Sequence, residues 1–139
     1  MPTRMLLADN DLAHLLVMKE YFESESFVVD TAVNPAAARS FLEQGHFDVA
    51  VLDLRLEDNR DEWDLSGLQV AQTTSSCTPV IILTEFPNVE AVCAALSTKD
   101  SGIPVAFDFI SKPEGLETLL AAVRKIIDRS MESQDTLPA

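Results

Sequence analysis

The sequence predicts an α/β fold: a doubly wound, five-stranded parallel sheet with helices on both faces. Three observations lead to it. Five short apolar runs recur along the 139 residues, helical patterns fill spaces between them, and the runs MLLA, VAVL and VIIL show no polar alternation. Strands alternating with helices imply right-handed crossovers between parallel neighbours, and strands without alternation imply cover on both faces.

Taken in order, RMLLA (4–8) is the first strand, and Leu12, Leu15, Leu16, Lys19 and Phe22 place an apolar helix face after it, with lysine at its border. FVVDTA (27–32) follows, its acid marking it as nearer a sheet edge, and the Ala-rich stretch 35–44 is helical. FDVAVLD (47–53) and PVIILT (79–84) are the third and fourth strands, and the Ala-rich stretch 88–98 is a further helix. VAFDFI (105–110) is the fifth strand and also contains an acid. Leu116, Leu119, Leu120, Val123, Ile126 and Ile127 repeat at helical spacing over three turns. The polar end SMESQDTLPA reads as a frayed tail, giving one domain over 1–130 and a tail over 131–139.

Composition excludes several functions. With 10 Lys and Arg against 23 Asp and Glu, a net charge of -13 repels nucleic-acid phosphates and anionic membrane surfaces. The apolar run before Asp9 is too short for a signal peptide and no window approaches a bilayer span, so a soluble, cytoplasmic protein without membrane insertion is expected. Cys77 and Cys93 lack a CxxC or zinc spacing and are expected to be buried or half-buried thiols. None of the four glycines forms a GxGxxG or GxxxxGK loop, which disfavours those nucleotide sites.

In a doubly wound sheet ligands gather at the carboxyl ends of the strands. There stand Asp9-Asn10-Asp11, Asp53, Thr84 and Ser111-Lys112-Pro113. Oxygens of Asp9, Asn10 and Asp53 suit a hard cation such as Mg²⁺. Lys112 can pair with Asp53 or with a phosphoryl oxygen, to which Thr84 can donate. An Asp beside such a cation can accept a phosphoryl group, because charge built up in transfer is neutralised. Individually each residue has a plainer role: Asn10 or Asp11 as a helix N-cap, Thr84 as a strand residue, Lys112 as a solvated cation. Their convergence at successive strand ends favours one shared site.

LLADND, VAVLDLRL, PVIILT and DFISKP together resemble the motifs of the response regulator receiver domain, the CheY-like superfamily, across about residues 4 to 129. The resemblance implies a flavodoxin-like (βα)5 sheet in the order 2-1-3-4-5. It implies Asp53 as phospho-acceptor, Asp9, Asn10, Asp53 and the Arg55 backbone carbonyl as Mg²⁺ positions, and Thr84 as the switch hydroxyl. Phe109 would be the switch aromatic and Lys112 the phosphate-contacting lysine, with a cis Lys112–Pro113 bond. The implied partners are a histidine kinase or phosphotransfer protein and an unknown downstream protein, with a homodimer conceivable.

Several residues depart from the family pattern. Asn10 replaces an acid, removing one formal charge, so weaker metal affinity is expected, and Asp11 either compensates or caps the helix. Glu85 occupies a usually small position, where it repels phosphate, pairs with Arg55 or points outward into solvent. The connection from Asp53 to Gly67 is unusually long and carries Glu57, Asp58, Asp61, Glu62 and Asp64 around Trp63, as either a solvated loop or a partner epitope. The stretch 97–104 is a second insertion.

The leading function is therefore a single-domain response regulator phosphorylated on Asp53, signalling through protein contact at the surface of the helix at 88–98, the fifth strand and the last helix. No separate substrate turnover is expected. The alternative is a phosphorylation-independent pseudo-receiver, a protein-binding module. An aspartate-based hydrolase is disfavoured because Arg55 stands where its second acid belongs.

Overall fold

The computed structural model describes residues 2–58, 60–61, 64–74, 78–85, 93, 97 and 105–135, with side chains through 129. Its strands are β1 (Arg4–Ala8), β2 (Val28–Ala32), β3 (Val49–Asp53), β4 (Val80–Thr84) and β5 (Asp108–Ser111). The described helices are α1 (Leu12–Ser24), α2 (Pro35–Gln44), α3 (Ser66–Thr73) and α4 (Leu116–Asp135), and a 3-10 turn spans Lys112–Glu114. All strand pairs are parallel in the order β2-β1-β3-β4-β5, which places the acid-bearing β2 and β5 at the edges.

Strand parity explains the unalternating runs. Met5 and Leu7 of β1, Val49 and Val51 of β3, and Ile81 and Leu83 of β4 pack with the buried side chains of α1 and α4. The intervening Leu6, Ala8, Ala50, Leu52, Val80 and Ile82 pack with those of α2 and α3. Both faces being covered, a polar residue on either would be desolvated without a partner.

The helix termini follow local chemistry. The Asp11 carboxylate caps α1 by accepting the His14 N–H at 3.3 Å, and Asn34 caps α2 by accepting the Ala37 N–H at 2.8 Å. Pro35 sits in the first turn of α2, where its missing N–H costs nothing, and Gly45 ends that helix at φ 74.

Five expectations need correction, the last of them at Cys93. The buried face of α1 is Leu15, Met18 and Phe22, whereas Leu12 and Leu16 are 57% and 53% exposed. Leu16 lies about 100° round the helix from Leu15, so it cannot share the sheet-facing stripe. β5 starts at Asp108 rather than at Val105, because the Val105 N–H turns to the Ser97 carbonyl at 2.8 Å and only the Phe107 N–H reaches Val80, at 2.7 Å. The expected irregular tail is helical as far as Asp135. No proline or glycine precedes Pro138 in that segment to stop it. In addition, no cis peptide occurs among the described residues, so Lys112–Pro113 is trans. Pro113 is accommodated in the first turn of the 3-10 segment, where Glu114 accepts the Ser111 N–H at 2.8 Å.

The helix expected over 88–98 lies outside the described residues except at Cys93 and Ser97, and Cys77 lies outside them too. Cys93 is an exposed free thiol, not a buried one.

Candidate functional site

The sheet delivers four of the expected residues to one end. Asp9 directly follows β1, and its N–H donates to the Ala32 carbonyl at 3.1 Å, continuing the ladder with β2. Asp53 closes β3 opposite Leu83, and Thr84 closes β4 opposite Ser111, the residue before Lys112. Asp9, Asp53 and Thr84 are all buried, at 0%, 2% and 1% exposure. Such residues are rare in an interior unless something pairs with them.

For the two carboxylates, that partner is Lys112. Its Nζ lies 3.1 Å from Asp9 Oδ2 and 3.3 Å from Asp53 Oδ2, and its side chain is 8% exposed. The Arg55 N–H donates to Asp53 Oδ1 at 3.3 Å, and the Asp11 N–H donates to Asp9 Oδ1 at 2.9 Å. His14 Nδ1 lies 2.7 Å from Asp9 Oδ2.

One ammonium between two buried carboxylates separates their ionisation. Burial, then the charge of Asp9 and its hydrogen bond, push the Asp53 carboxyl up to about 7, although Lys112 opposes the rise. Burial also works against an ionised Asp9. Hydrogen bonds from His14, Asp53 and the Asp11 N–H, with the charge of Lys112, overcome it and hold Asp9 at about 2. Burial likewise disfavours the charged Lys112, but Asp53 and Asp9 raise its pKa above the ordinary lysine value. Without a bound cation the site is therefore an ionised Asp9, an ammonium and an Asp53 that shares a proton near neutrality.

This arrangement fits Mg²⁺. With both acids ionised the pair carries one more negative charge than Lys112 can balance, which is why a proton is retained near neutrality, and a hard cation would take that proton's place. Asp9 and Asp53 would supply carboxylate oxygens, Asn10 an amide oxygen and Arg55 its main-chain carbonyl.

The remaining expected residues fall around this centre. Phe109 is half-buried against the cluster containing Val80 and Ile82, on the sheet face that Thr84 continues by parity. Glu85 is exposed, as its solvated reading expects, and Asn10 is half-buried. In the acidic loop Glu57, Asp58 and Asp61 are exposed, whereas Asp64 is half-buried. Asp64 Oδ2 accepts the Glu57 and Asp58 N–H groups at 3.0 and 2.7 Å, and its Oδ1 accepts the Ser66 N–H at 2.9 Å. Ser66 Oγ accepts the Glu57 N–H as well, at 2.9 Å. Asp11 caps α1, resolving its two readings in favour of the cap. Trp63, Glu62 and the insertion at 98–104 lie outside the described residues.

Two contributors were not singled out from the sequence. His14 stands five positions after Asp9, a spacing that signals contact only once the turn into α1 is known. Gly67 lies so close to β3 that an added Cβ would sit 1.8 Å from the Asp53 carbonyl oxygen, and its N–H donates to the Leu54 carbonyl at 3.0 Å. Its only sequence signal is a glycine opening a helix, where propensity disfavours it.

Known proteins share this fold. Residues 5–124 match the family described as Response regulator receiver domain. The response regulator MprA of Mycobacterium sp. (strain KMS) is 29% identical over 133 residues, covering 94% of this chain and 53% of its own length. The chain thus spans about half the length of the curated relatives it matches. The response regulator receiver domain protein (CheY-like) from Methanospirillum hungatei JF-1 superposes with a TM-score of 0.80 at 22% identity, covering 96% of this chain and 99% of that one. A response regulator from Burkholderia pseudomallei, solved with a phosphorylated aspartic acid, calcium ion and citrate, gives a TM-score of 0.70 at 19% identity over 99% and 76% of the two chains. At these identities the two superpositions speak for the fold.

Proposed function

Because the chain belongs to the response regulator receiver domain family, we propose that it accepts a phosphoryl group on Asp53 from a histidine kinase or phosphotransfer protein. The observation that carries this reading is Asp53 itself, 2% exposed at the end of β3, with one buried Lys112 Nζ within 3.3 Å that also holds Asp9.

The proposed chemistry follows from those groups. An Asp53 carboxylate oxygen attacks phosphorus, the phosphorus–nitrogen bond of the phosphohistidine donor breaks, and the imidazole departs with the electron pair. Asp53 must be ionised to attack, yet its carboxyl sits at about 7 without a cation. Mg²⁺, when bound, supplies the charge that favours the carboxylate and neutralises the transferring group. Lys112 exchanges part of its contact with Asp53 for a phosphoryl oxygen, while Asp9 keeps the ammonium in place. Thr84 then donates its hydroxyl to the phosphoryl group, and Phe109 repacks on the same sheet face to bias a pre-existing two-state surface. Phe109 has no hydroxyl, so that bias acts through packing alone. The signal passes onward by protein contact, in the cytoplasm where such donors act.

Incubation with acetyl phosphate and Mg²⁺, read by intact-mass spectrometry, tests the proposal. The expected result is one added phosphoryl group, absent without Mg²⁺ and absent in Asp53→Asn. Labelling that survives Asp53→Asn refutes it. Asn10 favours one second reading, a phosphorylation-independent binding module, and total failure to label at any Mg²⁺ concentration would favour that reading instead.

A further inference from the structure

The geometry points to His14 as a positioning residue of the metal site, one that clamps Asp9 so that its remaining acceptor direction faces the cation. This inference rests on the Mg²⁺ reading above and concerns a residue that reading does not use.

An ionised carboxylate has about four acceptor directions. For Asp9 the protein fills three: the Asp11 N–H on Oδ1 at 2.9 Å, and His14 Nδ1 and Lys112 Nζ on Oδ2 at 2.7 and 3.1 Å. The fourth is taken up by the hydrogen bond with the Asp53 carboxyl, whose proton a cation would replace. Because an ionised carboxylate only accepts, His14 must donate from Nδ1.

The clamp is a closed ring. Asp11 donates its N–H to Asp9 and accepts the His14 N–H on its own Oδ1 at 3.3 Å, and the His14 ring returns to Asp9. The cap of α1 and the orientation of Asp9 are thus set by the same three residues, Asp9, Asp11 and His14. Asp9 has no solvent exposure, so no water can substitute for a lost donor without entering the core. Hydrogen bonds that orient a ligating carboxylate typically carry about 10–100-fold in metal affinity. Here their weight is greater because Asn10 contributes no charge.

The test is Mg²⁺ titration by isothermal calorimetry of the wild type, His14→Leu and His14→Asn, with thermal melts of each. The Asn amide nitrogen can occupy the place of Nδ1, whereas Leu keeps bulk without a donor. Expected is affinity at least about tenfold weaker in His14→Leu and within about threefold of wild type in His14→Asn. Equal affinity in wild type and His14→Leu overturns the inference, as does His14→Asn binding as weakly as His14→Leu. A wild type that takes up no Mg²⁺ overturns the metal reading itself, and this inference with it.

Discussion

Replacing Asp53 by Asn in Mg²⁺-free buffer is expected to stabilise the protein at and above neutral pH, an unusual outcome for a buried residue. The Asp53 carboxyl moves from its ordinary 3.8 to about 7 on folding, mainly through burial and the neighbouring Asp9 charge. Between those two values the folded state binds more protons than the unfolded state, so stability falls as pH rises through the window. Above about pH 7 the full cost of the ionised form is on the order of 4 kcal/mol, and relaxation around the pair brings the expected gap to about 2–4 kcal/mol. Asn mimics the neutral acid and can still donate to Asp9, so the variant escapes this loss. Asp9 does not confuse the result. Its lowered value contributes stability above 3.8 that is lost only as pH falls toward 2, outside the window. The assay is urea unfolding of both proteins from pH 5 to pH 8.5. The gap should be smallest at pH 5, widen up to about pH 7 and then level off, and saturating Mg²⁺ should narrow it by binding only the folded wild type tightly. Parallel curves across the range, or a variant less stable at pH 8, would refute the charge reasoning.

Two further outcomes follow from contacts at the same end of the sheet. Gly67→Ala places a methyl group 1.8 Å from the Asp53 carbonyl oxygen and is expected to cost about 3 kcal/mol, read as a lowered melting temperature; an unchanged melt would show that α3 can move off β3 freely. Lys112→Met removes the cation between the two carboxylates, so the Asp53 carboxyl should titrate above about 7, followed by carbon NMR of that group. Titration at or below the wild-type value would show that Lys112 does not hold the pair.

Much of this architecture was legible from the chain because strand ends are punctuated chemically. β1 and the carboxyl ends of β3 and β4 match their apolar runs, since burial on both faces leaves no polar residue until the site begins. The convergence of Asp9, Asp53 and Lys112 followed from topology, because a parallel sheet delivers every strand end to one side. The misplaced features depend on direction rather than type. Leu16 and Met18 are both apolar, and only docking decides that Met18 is buried and Leu16 is not. Val105 reads as strand by propensity but is drawn to the Ser97 carbonyl. His14 and Gly67 matter through single close approaches, which residue identity does not announce.

The way Asp64 gathers the main-chain N–H groups of Glu57, Asp58 and Ser66 has an evolutionary consequence. It staples the two stems of the acidic loop, Glu57–Asp58 and Asp64–Ser66, to each other a few residues from Asp53. Doubling the length of a loop anchored in this way costs only about 0.6 kcal/mol in closure entropy. On the proposed reading the phosphoryl chemistry calls on neither the staple nor the positions it encloses, which leaves that stretch room to change in sequence or in length. The same staple makes this loop a natural insertion point for a foreign peptide, such as an affinity tag or a conformational reporter, beside a site that need not register its presence.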